Sequence, residues 1–470
     1  MSESGPRVER PHRRLSPLTP LVRSFIFVVA VVATSWDDLL RGQLGPIGWI
    51  LVFLLVAGAV YGTASWLRTK YWIEADELRV DTGLVSRQSR RIRIDRLQGV
   101  DIVQPFVARI FGLAELRMDV AGGSAREGSL AFLKLSEAHA LRDLLLARRD
   151  EVRAAAAPPA PYGSLAPAPY GVPGAPGVPA ADGVPATAVP APEQVLARLD
   201  LGTLALSVLF SPETVGLLLT VSAFGALFLV FGEWLGLSAM LPVLLGLVLV
   251  QARRLANNYH FHVAQTRAGL QVRRGLFELS SQTIALHRVQ GVVVTEPVMW
   301  RPFGWARLDV SVAGYATTGD DNDKPAASTV MPVAGRAEVM LLARHVLQGL
   351  DPAAVPLVPA PKRARWVAPV GWRFLAAGIG EHAVASRTGW LTRRLEVVPH
   401  ARVQSLRLSQ GPWQRRLGLA DLHVDSPPGP VNVRARHRPA SEVRALLEQE
   451  ARLSRAARVS RTGAAPHPSP

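Results

Sequence analysis

Cysteine is absent from all 470 residues of the sequence. This absence excludes disulfide bonds, thiolate catalysis and zinc or iron–sulfur sites with cysteine ligands, and it leaves the redox compartment open. The sequence also lacks a phosphate-binding glycine loop, a G-x-S-x-G nucleophile motif and an H-E-x-x-H metal motif. Since no catalytic motif is recognisable, we expect a protein that is not an enzyme and that has no cofactor.

Acidic residues are scarce relative to basic ones: 37 Asp and Glu stand against 53 Lys and Arg, which gives a net charge of +16. Hydrophobic residues nevertheless make up 49% of the chain. This combination favours a membrane protein with basic flanks over a nucleic-acid-binding protein. The basic residues are spread along the chain without a recognition motif, so no nucleic-acid partner is expected.

Four apolar runs predict two transmembrane helical hairpins: residues 18–36, 47–67, 211–231 and 235–250. A helix needs about 20 predominantly apolar residues to cross a bilayer. The turns inside the hairpins carry Asp37, Asp38 and Glu233, whereas arginines and lysines flank the outer ends. The positive-inside rule therefore predicts a multi-pass plasma-membrane protein with both termini in the cytoplasm. No acid, histidine or lysine lies in the middle of a run, which favours anchoring over ion-coupled transport.

One stretch of sequence occurs three times, as RLQGVDIV from Arg96, RVQGVVVT from Arg288 and RVQSLRLS from Arg402. We name these occurrences copy 1, copy 2 and copy 3. In each copy a glycine lies thirteen residues before the arginine, a second arginine thirteen after it and a second glycine sixteen after it. The second arginines are Arg109, Arg301 and Arg415, and the glycines are Gly83 and Gly112, Gly275 and Gly304, and Gly389 and Gly418. These fixed spacings indicate duplication of a whole domain.

Each copy has the pattern of a small β-rich domain. Alternating apolar residues, as in IRIDRLQGVDIV from Ile92, predict strands, and the slip at Gln98–Gly99 predicts a β-bulge or turn. An amphipathic run ends each copy, as in SEVRALLEQEARL from Ser441, and predicts a helix. The predicted fold class is α-helical membrane hairpins plus α+β, mostly-β domains, each a bent β-sandwich or sheet closed by a C-terminal helix.

These patterns divide the chain into nine segments: a basic cytoplasmic N-terminus (1–17), the first hairpin (18–68), domain 1 (69–153), a Pro/Ala/Gly-rich linker (154–194), the second hairpin (195–255), domain 2 (256–350), a linker (351–371), domain 3 (372–453) and a disordered basic tail (454–470). The proline-rich linker is expected to form an extended, mobile tether. Copy 3 has no convincing hairpin before it, because residues 364–379 are interrupted by Pro369 and Arg373. This stretch is too short to cross comfortably, and we predict an interfacial or packed segment.

Two motifs recur in all three copies: R-[LV]-Q-[GS]-[VL], and a later stretch that reads RIFGLAEL, RPFGWARL and RRLGLADL. With these motifs and its hairpins, the sequence resembles the bacterial membrane-flanked pleckstrin-homology-like (PH-like, bPH2) domain proteins of the YdbT type. The resemblance implies three PH-like bent β-sandwiches and no established catalytic residues. It also implies a smaller PH-like membrane protein as partner, or self-association, and a role in envelope defence such as antimicrobial-peptide resistance.

Two sets of arginines are candidates for contact with a partner or with lipid headgroups. The first set occupies equivalent positions in the three copies and consists of Arg96, Arg288 and Arg402. The second set follows the first hairpin and consists of Arg87, Arg90, Arg91 and Arg93. Arginine binds phosphate and carboxylate groups well, and each base near anionic lipid contributes about 1 kcal/mol. The alternative is that the first set pairs with neighbouring strands and that the second is a solvated strand face.

Two further polar patterns favour a plain structural interpretation. His260 and His262 alternate along a strand and so share one side of it, but no third metal ligand is nearby, and no metal site is predicted. The carboxylate-rich run GDDNDKP from Gly319 lacks the spacing of a calcium loop, and we interpret it as a hairpin tip.

Three copies on one chain are compatible with two arrangements. In the first, weak modules held at the membrane raise one another's effective concentration for a shared target. In the second, the copies pack together and cover each other's sheet edges. We expect a non-enzymatic scaffold that presents three cytoplasmic PH-like modules to a membrane-protein partner. The alternatives are an anionic-lipid-binding membrane protein and a component of a transporter or export complex.

Overall fold

The computed structural model describes residues 13–14, scattered positions between 49 and 64, and the ranges 70–74, 77–82, 88–120, 129–156, 194–231, 237–266, 269–313, 329–427 and 429–462. Within these ranges every copy has one element order: four strands in a first sheet, three strands in a second sheet, and a closing helix. Most of the first predicted hairpin, the proline-rich linker from 157 to 193 and the run from Gly319 lie outside the described residues.

Copy 1 has a first sheet of four strands, β1 (Arg13–Arg14), β2 (Lys70–Glu74), β3 (Glu77–Thr82) and β4 (Gln88–Arg93). Its second sheet has three strands, β5 (Leu97–Gln104), β6 (Leu113–Val120) and β7 (Ser129–Lys134). A short helix, α1 (Phe106–Ile110), connects β5 to β6, and α2 (Leu135–Ala156) closes the copy. The register between β5 and β6 shifts between Leu97 and Gly99, which confirms the bulge predicted from the slip in alternation.

Copy 2 repeats this order with larger connections. The first strand is β8 (Gln194–Arg198), and three helices follow it: α3 (Leu201–Leu209), α4 (Pro212–Phe231) and α5 (Leu237–Asn257). The remaining strands are β9 (His262–Thr266), β10 (Gly269–Arg274), β11 (Leu279–Ile284), β12 (Val289–Pro297), β13 (Trp305–Val312) and β14 (Thr329–Gly335). A 3-10 turn, Val298–Phe303, connects β12 to β13, and α6 (Arg336–Val346) closes the copy.

Copy 3 has the shortest insertion between its first two strands. Its strands are β15 (Val358–Pro359), β16 (Ala376–Ile379), β17 (Ala383–Thr388), β18 (Thr392–Pro399), β19 (Ser405–Ser409), β20 (Leu419–Asp425) and β21 (Arg434–Pro439). Two 3-10 turns, Lys362–Trp366 and Trp372–Phe374, lie between β15 and β16. A short helix, α7 (Pro412–Leu417), connects β19 to β20, and α8 (Ala440–Thr462) closes the copy.

The first strand of each copy is separated from the second by an insertion. In copy 2 the strand β8 lies before the helices α3 to α5, and it pairs with β9, which lies after them. The strands β1 and β2 pair in the same way across the first predicted hairpin, and β15 and β16 pair across the 3-10 turns of copy 3. The segments predicted as hairpins are therefore inserted into the first sheet and do not simply precede it.

The closing helix covers an apolar core in each copy. In copy 1, Ala138, Leu141 and Leu145 are buried and lie on one face of α2, at the spacing of three and four residues that an amphipathic helix requires. They belong to the same cluster as Leu116 and Leu133 of the second sheet. Full burial of a leucine contributes about 1.5–3 kcal/mol, so the helix is held mainly by this face.

The last helix is longer than the sequence predicts. It continues through Thr462, so residues 454–462 of the predicted disordered tail are helical. Ser454 is buried, and the Arg458 side chain donates to the carbonyl of Val403 at 3.1 Å. The helix extends because its inner face still packs against the turn that precedes β19.

Within the described ranges, no individual helix combines the length and hydropathy needed to cross a bilayer. The helix α3 and residues Pro212–Ala226 of α4 meet at a bend of 46° and satisfy both criteria only as a pair, by length and composition.

Candidate interaction surfaces

The three copies are joined by β-sheet pairing. In junction 1, β5 of copy 1 pairs antiparallel with β11 of copy 2, which creates the seven-stranded sheet β7-β6-β5-β11-β10-β9-β8. In junction 2, β12 of copy 2 pairs antiparallel with β18 of copy 3 in the sheet β14-β13-β12-β18-β17-β16-β15. The copies therefore cover each other's sheet edges, as the second arrangement predicts, whereas a raised effective concentration for a shared target stays a prediction.

Both junctions use one register. The paired positions are Ile102 with Ser281, Val103 with Ser280 and Gln104 with Leu279 at junction 1, and Val294 with Leu395, Thr295 with Arg394 and Glu296 with Arg393 at junction 2. When the copies are aligned on their repeated arginines, these are the same positions. A slip of one residue would turn every side chain to the opposite face, so a shared register means a shared mode of docking.

The second repeated arginine reaches across each junction. Arg109 of copy 1 donates to the carbonyl of Leu276 at 3.4 Å, and Arg301 of copy 2 donates to the carbonyl of Trp390 at 2.6 Å. Each acceptor is the residue directly after the repeated glycine of the next copy. The sequence shows that this arginine recurs at a fixed spacing from the glycine, but it predicts no contact between the arginine of one copy and the residue after the glycine of the next.

Junction 2 carries additional close contacts. Glu296 is buried and lies 3.5 Å from Arg393 of copy 3 and 3.2 Å from Arg336 of its own copy. A Cβ on Gly291 would lie 2.7 Å from the carbonyl oxygen of Val397, so only glycine allows β18 to approach this closely. Junction 1 relies instead on an exposed pair, Arg117 and Glu278 at 3.6 Å, and on an edge-to-face contact between the rings of Phe106 and Phe277.

The arginines of the first predicted set do not share one environment. Arg288 donates to the carbonyl of Ala313 in its own copy, and Arg402 donates to the carbonyl of His287 in copy 2. Arg96 is exposed. The contacts of Arg288 and Arg402 are with backbone atoms of this chain, whereas contact of all three with a partner or headgroup stays a prediction.

The second predicted set lies on β4, the last strand of the first sheet in copy 1. Arg91 and Arg93 are exposed, and Arg90 is half-buried. Arg93 forms a pair with Asp95 at 2.8 Å. Arg87 lies outside the described residues. The structure thus brings Arg90, Arg91 and Arg93 together on one strand at the end of a sheet, close in sequence to the first hairpin.

The base of the second hairpin is fixed to copy 2. The indole nitrogen of Trp300 donates to the carbonyl of Ser207 in α3 at 3.1 Å, and this contact is buried. The ring of Phe303 lies 5.1 Å from that of Phe210, at the end of α3. The 3-10 turn Val298–Phe303 therefore holds the start of the hairpin against the sandwich.

Two buried ionisable groups of copy 3 have shifted pKa values. His400 directs Nδ1 at Glu450 at 2.7 Å and Nε2 at the carbonyl of Gly380 at 3.1 Å, and both side chains of the pair are buried. Burial lowers the pKa of His400, but its bonds to Glu450 outweigh that effect and raise it above the ordinary value. Burial raises the pKa of Glu396 to about 7, although Arg394 opposes the shift.

Of the two histidines considered for metal binding, only His262 lies in β9, so the prediction that both alternate along one strand is wrong for His260. His260 has a positive φ of 49°, and its carbonyl lies 3.1 Å from Nδ1 of His262. Across the part of the chain that the structure describes, no group of three His, Asp or Glu residues is placed to hold a metal ion.

A family model described as the bacterial PH domain matches the chain three times, over residues 24–149, 214–350 and 353–453. The chain belongs to the bacterial PH domain family. The resemblance inferred from the two repeated motifs is thereby confirmed. Each match covers most of one of the three copies, so the β-rich part of the predicted fold is that of three bacterial PH domains.

The chain is also similar to UPF0699 transmembrane protein YdbT from Bacillus subtilis (strain 168), with 27% identity over 143 residues. The alignment covers 30% of this chain and 28% of that protein, so the matched part spans less than a third of the relative's length. The bacterial PH domains of this chain are joined edge to edge by strand pairing, so a partner of the chain would meet them as one unit.

Proposed function

We propose that the chain is a non-enzymatic, multi-pass membrane protein that presents three PH-like modules, fused into one body, as a cytoplasmic scaffold for a membrane-protein partner. The observation that carries the proposal is the shared register of the two junctions, because it fixes the relative positions of all three modules. The apolar runs and their basic flanks support membrane anchoring and cytoplasmic termini. The relative named as a transmembrane protein supports the same location.

A smaller PH-like membrane protein is the partner proposed, and the strand β4 is its proposed contact. The strand β4 ends the first sheet of copy 1, as β19 ends the second sheet of copy 3. At β19, Ser405 stands where copy 2 has Gly291, and Gly291 is needed for close approach of the next copy. The strand β4 has no such obstacle, and its arginines suit a partner edge that carries carboxylates, as Glu296 faces Arg393 at junction 2.

The proposed function can be tested by crosslinking a tagged form of the protein in its native membrane and identifying both the proteins and the lipids that are recovered with it. The test variant is Arg91→Glu/Arg93→Glu on β4. The matched control is Arg444→Glu/Arg452→Glu on α8, which reverses two exposed arginines far along the chain. We expect one stoichiometric membrane protein with the wild type and the control, and its loss with the β4 variant.

Other outcomes decide between the candidates. Recovery of no membrane protein by any of the three forms would contradict the scaffold function. Recovery of the same partner by the β4 variant would support the scaffold function but would contradict the proposal that the β4 arginines contact the partner. A second function, binding of anionic lipid, is favoured by the exposure of Arg91, Arg93 and Arg96. That function predicts that anionic lipid, without a partner protein, is recovered with the wild type and that this lipid is lost in the β4 variant. Envelope defence enters this proposal only through the family resemblance.

A further inference from the structure

The segment between β15 and β16 of copy 3 occupies the place that the hairpin occupies in copy 2. In both copies the insertion leaves the first strand of the first sheet and returns to the second strand. The connection after the first strand of the second sheet contacts the insertion in both. In copy 2 that contact is made by Trp300 and Phe303, and in copy 3 the indole nitrogen of Trp413 in α7 donates to the carbonyl of Trp366 at 3.3 Å.

The composition of this segment is that of a bilayer interface. Between 362 and 374 it holds Lys362, Arg363, Arg365 and Arg373 and no acid. Trp366 is 63% exposed and Val370 is 64% exposed, whereas Ala364 is fully buried. Guanidinium groups lie over the exposed rings, with Arg365 5.2 Å from the ring of Trp366. Tryptophan and arginine side chains of this kind favour the headgroup region, where the ring is half-desolvated and the cation meets phosphate.

Exposed apolar side chains also lie in the turn at the hairpin base of copy 2 and in the neighbouring turn of copy 3. In copy 2, Met299 and Phe303 lie in the turn that holds the hairpin base, and both are at least 40% exposed. Trp390 of copy 3 is 49% exposed and accepts from Arg301 of that same turn. Exposed apolar side chains therefore extend from the turn at the hairpin base of copy 2 to the turn of copy 3 that holds Trp390. Exposed apolar side chains that lie next to one another indicate a binding face.

We propose that copy 3 rests on the bilayer surface through residues 362–374 and Trp413, which contact anionic phospholipid headgroups in place of a transmembrane hairpin. The inference rests on the proposed membrane location. It goes further because it assigns a lipid contact to a copy in which no candidate spanning helix is found among the described residues. The occupant is a bilayer because the segment stands at the position that the hairpin has in copy 2 and because all its charges are positive.

The absence of cysteine allows the whole chain to be labelled at single sites. The full-length variants Val370→Cys, Leu218→Cys in α4 and Leu341→Cys in α6 would each carry an environment-sensitive fluorophore. All three positions are more than half exposed. Each labelled chain is reconstituted into vesicles of phosphatidylcholine with phosphatidylglycerol, or of phosphatidylcholine alone. Quenching is measured with bromine-labelled lipid and with aqueous iodide.

We expect the Val370 label to be blue-shifted, quenched by bromine near the headgroups and protected from iodide, and the Leu341 label to show the opposite. Adding Arg363→Glu/Arg365→Glu should abolish bromolipid quenching at Val370, whereas Arg444→Glu/Arg452→Glu should not.

The proposal is overturned if the Val370 label behaves like the Leu341 label while the Leu218 label is quenched from the bilayer. Protection from iodide without bromolipid quenching would also overturn it, because a protein would then cover the segment. Equal quenching in vesicles of phosphatidylcholine alone would show that the contact does not depend on anionic headgroups, and it would overturn the proposed contact with them. If the Leu218 label is not quenched by lipid either, the proposed membrane location itself fails.

Discussion

Junctions 1 and 2 share a register but differ in extent. Junction 1 pairs three positions on each strand, and junction 2 pairs six, from Val292 to Pro297 against Thr392 to Val397. The apolar core of copy 2 also includes Val397 and Ala385 of copy 3, whereas the core of copy 1 forms a separate cluster. All three modules therefore share one mode of docking, while the extent of strand pairing and of shared apolar core differs between the two junctions.

This comparison predicts that copies 2 and 3 unfold together and that copy 1 unfolds separately. Shared burial of apolar surface couples stability between units, whereas a short strand pairing with little shared core couples them weakly. Four sets of substitutions test this difference between the junctions.

The buried pair of copy 3 gives the largest expected effect. His400 and Glu450 lie where copy 1 has Ile94 and Leu145, which are buried apolar residues. Glu450→Leu leaves a histidine without its carboxylate and should cost about 3–5 kcal/mol, whereas His400→Leu/Glu450→Leu should recover most of that loss. Hydrogen exchange should show that the single variant lowers protection in copies 2 and 3 and leaves copy 1 unchanged. Equal loss in copy 1 would contradict the contrast between the junctions.

Close approach at junction 2 gives the second effect. Gly291→Val places a side chain against the carbonyl of Val397 and against Val431, and should cost about 1–3 kcal/mol through overpacking. The matched control is Gly371→Ala, because a Cβ there meets nothing within 4 Å. Thermal unfolding should separate into more transitions in the Gly291 variant, since junction 2 is weakened, while the control should keep the wild-type profile.

The pH dependence of junction 2 gives the third effect. Glu396 lies opposite Val293 of copy 2, and burial raises its pKa to about 7. A carboxyl whose pKa is raised on folding binds more protons in the folded state, so stability falls as the pH rises from about 4.5 to about 7. Glu396→Gln should remove this fall and stabilise the protein at pH 8 by about 2–3 kcal/mol. Denaturant unfolding at several pH values measures it, and an unchanged slope in the variant would contradict the assignment.

The arginines that cross the junctions give the smallest effect. Arg109→Ala and Arg301→Ala each remove a hydrogen bond to a carbonyl of the next copy and should cost about 1 kcal/mol or less. The control is Arg415→Ala, because this equivalent arginine makes no side-chain hydrogen bond within the described residues. A cost for Arg415 equal to the others would show that the arginine acts within its own copy.

Much of this organisation was predictable from the sequence, because it depends on local patterns. The fixed spacing around Arg96, Arg288 and Arg402 predicted three copies, alternation predicted their strands, and the slip at Gln98–Gly99 predicted a bulge that the structure contains. The amphipathic run from Ser441 predicted the closing helix but not its extension to Thr462, since packing on another element sets where that helix ends.

The junctions were not predictable in the same way, because strand pairing between copies depends on contacts far apart in sequence. The pairing of β8 with β9 across the hairpin was missed for the same reason. The arginines chosen as sites were those of the most visible motif, and two of them contact backbone carbonyls of this chain. Arg109 and Arg301 open the second motif and are equally regular in spacing, but a motif does not show which residue crosses to another copy.

The most direct test of the account is to trap both junctions with engineered disulfides in a chain that has no other cysteine. Opposed residues of antiparallel strands have Cα atoms about 4.5–5.5 Å apart, within disulfide reach, whereas pairs offset by two residues lie beyond it. The account predicts efficient closure of Ile102→Cys/Ser281→Cys and Val294→Cys/Leu395→Cys, and little closure of the offset pairs Gln104→Cys/Ser281→Cys and Glu296→Cys/Leu395→Cys. Equal closure of matched and offset pairs, or no closure at either junction, would contradict the claim that one register joins all three copies.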